Sequence, residues 1–420
     1  LRGRAYACAT MLASALVAAT LQFGGTGCTE PVTYKANAVA ELPADSFVKA
    51  WMADLHLKDA SIQRIDVREK MLYVVSSNKQ VTAINRGPGT IKFVAQVAQA
   101  GERLLPPVEL TDKIVFPTAT SLEIYDYTGV HQRSVNLDAP IRSGATGGGS
   151  MIYFGADDPA GGRVEAFDLT RNFANRRWEL LTPGGSISST PVLYLGVLFV
   201  GTESGAVYAV NEERKPIWAT EGSVFQASGP IVADLKADEN GLYVASKGSI
   251  LYCINRTNGK LQWQYFSGGP LYTAPVPTSD TLYIYSEGVG IAAVSKAPVP
   301  TSNGNAQNAY DRSAKWVYHP GKQFLAQDEK YAYIMETRRD AKDEDVTHRV
   351  IVAVDKETGQ KMFESQHQDF SVFGTNPRDN TIYAAYPSGE LFAIKPVLKP
   401  GQIGELVAVP VSAKDAVAMR

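Results

Sequence analysis

The sequence predicts an all-β chain folded as an eight-bladed β-propeller of four-stranded antiparallel blades. Three observations carry that expectation. An apolar–aromatic–apolar pattern recurs eight times, a second strand with a small residue near its end follows each copy, and in six units a third strand with a large aromatic follows that. The small-residue positions recur every 40–44 residues, with one interval of 60. That period is the length of one four-stranded blade.

The first strand of each unit is marked by Leu72-Tyr73-Val74, Ile114-Val115-Phe116, Ile152-Tyr153-Phe154, Leu198-Phe199-Val200, Leu242-Tyr243-Val244, Leu282-Tyr283-Ile284, Ala332-Tyr333-Ile334 and Ile382-Tyr383-Ala384. The second strands carry Ala83, Ile124, Ala166, Ala209, Cys253, Ala293, Ala353 and Ala393. Two residues later stand Asn85, Asp126, Asp168, Asn211, Asn255, Ser295, Asp355 and Lys395, mostly short polar side chains that open turns by bonding the backbone ahead of them. The third strand then brings a docking aromatic: Phe93, Trp178, Trp218, Trp263, Trp316 and Phe363. A fourth, innermost strand precedes each unit, as in Ser189-Thr190-Pro191-Val192, Ser228-Gly229-Pro230-Ile231 and Thr273-Ala274-Pro275-Val276, with proline tolerated near a strand start.

The last unit ends at Pro396 without an aromatic outer strand, while an orphan segment around Trp51 precedes the first. Together they make one blade, so the N-terminal strand is expected to complete the last blade and close the ring over residues 46–396, leaving no long open edges. All five tryptophans thereby acquire one structural role, adhesion between neighbouring sheets, in preference to ligand stacking.

The bulk numbers agree. With 45% hydrophobic and 20% charged residues, 36 Gly, 23 Pro and 20 Tyr, the chain has the makings of a turn-rich β protein with a sizeable core. A net charge of −2 and the lack of a basic stripe interleaved with aromatics exclude an electrostatic case for nucleic acid.

Residues 1–28 read as an export signal: Arg2 and Arg4 form a positive start, and Met11 to Phe23 are mostly Ala, Leu and Val. The segment ends in Gly25-Thr26-Gly27-Cys28, which resembles the bacterial lipobox, although Gly25 replaces the usual Leu. Cys28 is thus the candidate for lipidation; the alternative is ordinary cleavage beside a chance cysteine. Residues 29–45 would be a tether and 397–420 a tail that packs on the ring or reaches a partner. With Cys8 in the signal and Cys28 acylated, Cys253 is left without an intrachain partner, and its place among the small residues marks it as buried.

Together, the Tyr-Val strands, the Ala-Ile/Val-Asn/Asp strands and segments such as Thr257-Asn258-Gly259-Lys260-Leu261-Gln262-Trp263 resemble the tryptophan-docking repeat of quinoprotein-like propellers. That superfamily holds pyrroloquinoline-quinone (PQQ) alcohol dehydrogenases and the BamB lipoproteins of outer-membrane β-barrel assembly. The architecture of lipobox, short tether and eight blades is more similar to the second. The resemblance implies a non-catalytic scaffold lipoprotein on the periplasmic face of the outer membrane, anchored by lipid and contacting an envelope protein complex. The alternatives are a PQQ-dependent or other small-ligand enzyme and a subunit of another envelope complex.

A quinone dehydrogenase would need a calcium clamp, a catalytic Asp and usually an adjacent Cys-Cys pair, and the chain has no such pair. We expect no catalytic, cofactor-binding or metal-binding residues: the histidines at 56, 131, 319, 348 and 367 show no ligand spacing. The run Asp340, Asp343, Glu344, Asp345 lacks the Gly and terminal Glu of a calcium loop. Gly147-Gly148-Gly149 is expected to turn between strands, since no helix follows it.

Contacts with partners are sought in insertions. Residues 298–313 lengthen the sixth unit and 338–348 the seventh, on opposite faces of the ring. Arg338, Arg339, Asp343, Glu344 and Asp345 form the charged interface candidate, while the Pro/Asn/Gly/Ser content of the first loop reads as spacer.

Overall fold

The computed structural model describes residues 40–41, 47–57, 59–170, 175–183, 185–218, 224–297, 310–339, 347–365 and 370–396. The signal with Cys28, most of the tether, the tail, most of the 298–313 loop and Asp343, Glu344 and Asp345 lie outside the described residues. Every regular element among those described is a strand, and the strands form eight sheets.

Seven blades follow one another along the chain, at 62–96, 108–136, 141–183, 192–226, 236–266, 276–318 and 321–364. The eighth is built from Val372–Gly374, Ile382–Ala385 and Glu390–Pro396, with the N-terminal strand Phe47–Asp54 as its outermost member. That strand runs antiparallel to Glu390–Pro396 and sets Trp51 beside Ala393. The ring is therefore closed as expected, by pairing between residues far apart in sequence.

The repeated pattern is explained by register. In seven blades the first-strand aromatic and the small residue are direct neighbours: Tyr73 with Ala83, Tyr153 with Ala166, Phe199 with Ala209, Tyr243 with Cys253, Tyr283 with Ala293, Tyr333 with Ala353 and Tyr383 with Ala393; blade 2 pairs Val115 with Ile124. The small residue then lies beside the outer aromatic, as in Ala83 with Phe93, Ala166 with Trp178, Cys253 with Trp263, Ala293 with Trp316 and Ala353 with Phe363. A small side chain in the middle lets two rings lean over it. Their centroids lie 5.7 Å apart for Tyr153–Trp178, 5.9 Å for Tyr283–Trp316, 6.0 Å for Trp51–Tyr383 and 6.2 Å for Tyr243–Trp263. Each core cluster draws side chains from two adjacent sheets, so the hydrophobic core is a set of seams between blades.

The innermost strands are shorter than the sequence suggests. Pairing begins only at Val192 in blade 4, Lys236 in blade 5 and Val276 in blade 6, after Pro191, Pro230 and Pro275. Proline has no N–H to give a ladder, so the Ser228–Ile231 segment passes beside the axis without joining a sheet. Of the three glycines, Gly147 and Gly148 belong to strand Ile141–Gly148 and only Gly149, at φ +60°, makes the turn.

Two blades gain a fifth strand unforeseen from the repeat. Ala40–Glu41 pairs in parallel with the outer strand Lys361–Glu364 of blade 7, and Asp311–Arg312 pairs in parallel with the outer strand Leu261–Phe266 of blade 5.

Candidate functional site

The docking aromatics hold blade to blade. The indole N–H of Trp51 donates to the Arg86 carbonyl at 2.9 Å, that of Trp178 to Glu212 at 2.6 Å, that of Trp218 to Arg256 at 3.0 Å and that of Trp316 to Lys356 at 2.7 Å. Each acceptor lies in the turn after the second strand of the following blade. The turns bend there because an Asx side chain accepts from the backbone ahead: Asp126 from Thr128 and Val130, Asn211 from Glu213 and Lys215, Asp355 from Glu357 and Thr358. A glycine at positive φ completes several of them. A Cβ at Gly359 would lie 2.4 Å from the Trp316 ring, so the bare backbone is what lets the indole lie flat against the turn.

Blade 2 is the exception. Arg133 occupies the register position beside Ile124 and donates to the Leu169 carbonyl of blade 3 at 3.4 Å, the kind of contact that indole N–H groups make elsewhere. Phe363 packs with Tyr331 at 5.6 Å and joins the seam between blades 7 and 8.

Of the charged interface candidates, Arg338 is committed within the ring. It donates to Glu336 Oε2 at 2.6 Å and to both Glu364 oxygens, and Lys361 lies 2.7 Å from Glu364. Hydrogen bonding to Arg338 holds the Glu364 carboxyl down at about 2, with Lys361 acting in the same direction against the burial that opposes it. Arg339 stands one residue further out and is exposed. Cys253 is buried beside Tyr243; burial pushes its thiol up to about 12, with Asp238 adding to the effect.

The axis holds the site that the repeat pattern does not announce. A cavity of about 730 Å³ is lined by the innermost strands of blades 1, 6, 7 and 8 and by Lys236 of blade 5. Its charged lining residues are Arg64, Asp66, Arg68, Lys236, Lys322 and Arg378. Arg64 is spoken for, with Nε 2.7 Å from Asp66 and Nη1 3.0 Å from the Leu104 carbonyl. Arg68 and Lys236 come from blades 1 and 5, opposite one another in a ring of eight. Burial first, and the Arg68 charge with it, pushes Lys236 below the ordinary lysine range, while Asp234 pulls the other way. Arg68 Nε and Arg64 Nη2 are buried without a hydrogen-bond partner among the described residues. Lys322 and Arg378 are exposed, Lys322 at the start of its inner strand and Arg378 after the end of its own, so they mark opposite mouths.

Among the described residues no three His, Cys, Asp or Glu side chains converge on a point where a metal ion would sit. Among the described residues Asp66 is the one carboxylate that lines the cavity, and it is already paired with Arg64. The donor set does not fit a calcium clamp, and what the cavity offers a ligand is positive charge and N–H donors.

The chain matches the family described as outer membrane protein assembly factor BamB over residues 157–305 and 203–361. No curated protein matches it in sequence. Among solved structures it is similar to BamB from Moraxella catarrhalis, with a TM-score of 0.59 at 14% identity, over 85% of this chain and 99% of that one. It is also similar to quinohemoprotein alcohol dehydrogenase from Comamonas testosteroni, with a TM-score of 0.56 at 13% identity, over 87% of this chain and 79% of that one. A third likeness is the computationally designed Ika8 protein, with a TM-score of 0.56 at 11% identity, over 82% of this chain and 98% of that one. At these identities the shared property is the propeller.

Proposed function

Taking the chain as an eight-bladed propeller of PQQ-type repeats that is BamB-like, we propose that it is a non-catalytic scaffold in the bacterial envelope. Through Cys28 it would be anchored by lipid on the periplasmic face of the outer membrane, contacting an assembly complex of the kind BamB's name describes.

The observation that carries this reading is the pair of added strands. Ala40–Glu41 and Asp311–Arg312 each lie in parallel against the outer edge of a blade, so those edges accept extended backbone beyond the four-strand repeat. An open edge presents N–H and C=O groups to any extended segment, and strand addition is a recurrent way to bind a partner chain. Blade 1 offers such an edge in Ile91–Gln96, with Ile91 and Val94 exposed. Arg339, exposed at the end of strand Tyr331–Arg339, is a second proposed contact, together with Asp343, Glu344 and Asp345 that follow it in sequence.

Affinity capture of the tagged full chain from solubilised membranes tests the reading. A β-barrel assembly subunit among the specific partners supports it. Recovery of an unrelated envelope complex keeps the scaffold class and rejects the specific assignment, and the absence of any stoichiometric partner rejects the scaffold. Mass spectrometry of the mature N-terminus tests Cys28, where an unmodified residue rejects the anchor. The second reading, a quinoprotein-like enzyme, is favoured by the likeness in fold to the dehydrogenase. Dye-linked alcohol oxidation after reconstitution with quinone and calcium would establish it, and a null across substrates would remove it.

A further inference from the structure

We propose that the axial cavity is a binding site for a small multivalent oxyanion, a molecule that carries two or more phosphate or carboxylate groups. This goes beyond scaffolding and stands or falls independently of it. A cation moved away from bulk water loses solvation that only a counter-charge or well-aimed hydrogen bonds restore. Lys236 and Arg68 both line the cavity, from blades on opposite sides of the ring, close enough for the Arg68 charge to act on Lys236. The fold gives them little in return. None of Arg68, Lys236, Lys322 and Arg378 has a carboxylate within ion-pair distance among the described residues, and Asp234, which Lys236 feels, accepts from the Thr190 amide at 2.8 Å.

Arg68 and Arg378 follow inner strands at the point where the chain turns back, and Lys236 begins the two-residue inner strand that leads into the same kind of turn. The three therefore gather toward one mouth of the cavity. Arg68 Nε and Arg64 Nη2 are buried and have no acceptor among the described residues, so both guanidinium groups are left incompletely bonded in the wall of the cavity. The planar guanidinium fork favours oxyanions that accept two parallel bonds, carboxylate and phosphate alike, and an ammonium opposite would hold a second anionic group of the same molecule. At about 730 Å³ the cavity is of the size that encloses small-molecule ligands. The donors come from different blades, so a bound anion would also tie opposite sides of the ring together.

Isothermal titration of the full chain with pyrophosphate and with citrate, at low ionic strength, tests the proposal. Saturable one-to-one binding of either supports it, and which one binds names phosphate or carboxylate as the preferred chemistry. Lys236→Gln and Arg68→Gln should each weaken binding on the order of tenfold, since a charge-assisted bond is lost. The exposed-surface control Lys92→Gln should bind as the unaltered chain does. If Arg68→Gln fails to fold, Arg378→Gln at the mouth replaces it. No saturable heat with either anion overturns the proposal, as does equal weakening by Lys92→Gln, which would mean general charge screening.

Discussion

Replacing Trp51 by Ala should weaken the seam that closes the ring while leaving the backbone pairing of its strand intact. An indole buries up to about 250 Å², and at about 25 cal/mol per Å² a Trp left 8% exposed contributes about 5–6 kcal/mol, an upper bound because unfolded chains hide part of that surface. Alanine keeps the Cβ, so the expected cost is about 3–5 kcal/mol. Loss of the 2.9 Å bond to the Arg86 carbonyl is part of it, about 1 kcal/mol, and should be nearly all that Trp51→Phe costs beyond its smaller ring. The comparison within one protein is the sharper test. Trp218 is 3% exposed and should cost at least as much, whereas Trp178 is only half-buried and should cost clearly less. Denaturant unfolding followed by circular dichroism measures all three. A Trp51→Ala cost under about 1 kcal/mol, or a Trp178→Ala cost equal to it, would refute interblade adhesion as the role of these residues.

Three further outcomes are expected. Gly359→Ala should destabilise by at least about 2 kcal/mol, because φ is +69° and the new methyl meets Trp316; Gly101→Ala, at φ +91° with nothing within 4 Å, should cost only the backbone part, and equal losses in thermal or denaturant unfolding would contradict the docking contact. Glu364 has a folded-state value of about 2 against an ordinary 4.5, so its pairing with Arg338 and Lys361 stabilises above pH 4.5 and is lost as pH falls toward 2; Glu364→Gln should lower stability at neutral pH and flatten the acid limb in that window, and an unchanged limb would count against the cluster. Cys253, with its thiol pushed up to about 12, is thiolate to roughly one part in ten thousand at pH 8, so its peptide should escape iodoacetamide in the native protein and react after unfolding; native-state labelling mapped by mass spectrometry would show the site to be open.

The blades were legible because each imposes the same demand on sequence. Two rings must straddle one small residue, so Tyr, Ala and Trp recur at the register positions that place them side by side, and the closing strand announces itself through the one unassigned Trp51. Cys253 follows the same rule, standing where Ala stands in other blades because the space there admits only a small side chain. The inner strands were less legible, since proline near the axis removes the ladder donors that would have extended them. The added strands at residues 40–41 and 311–312 could not be read at all. Parallel pairing to a distant edge leaves no periodicity in so short a segment.

The axial cations were hidden for a related reason. Arg64, Arg68, Lys236, Lys322 and Arg378 lie on or just beyond the inner strands at positions outside the recurring Tyr–Ala–Trp pattern, and no spacing along the chain links residue 68 to residue 236. Closure of the ring alone makes them neighbours. Positions engaged in blade-to-blade packing carry the repeat pattern, whereas these charged side chains face the axial cavity. Among the described residues neither Arg68 nor Lys236 has a carboxylate within ion-pair distance, so holding both beside the axis costs the folded ring solvation, and an anion bound in the axial cavity would recover it.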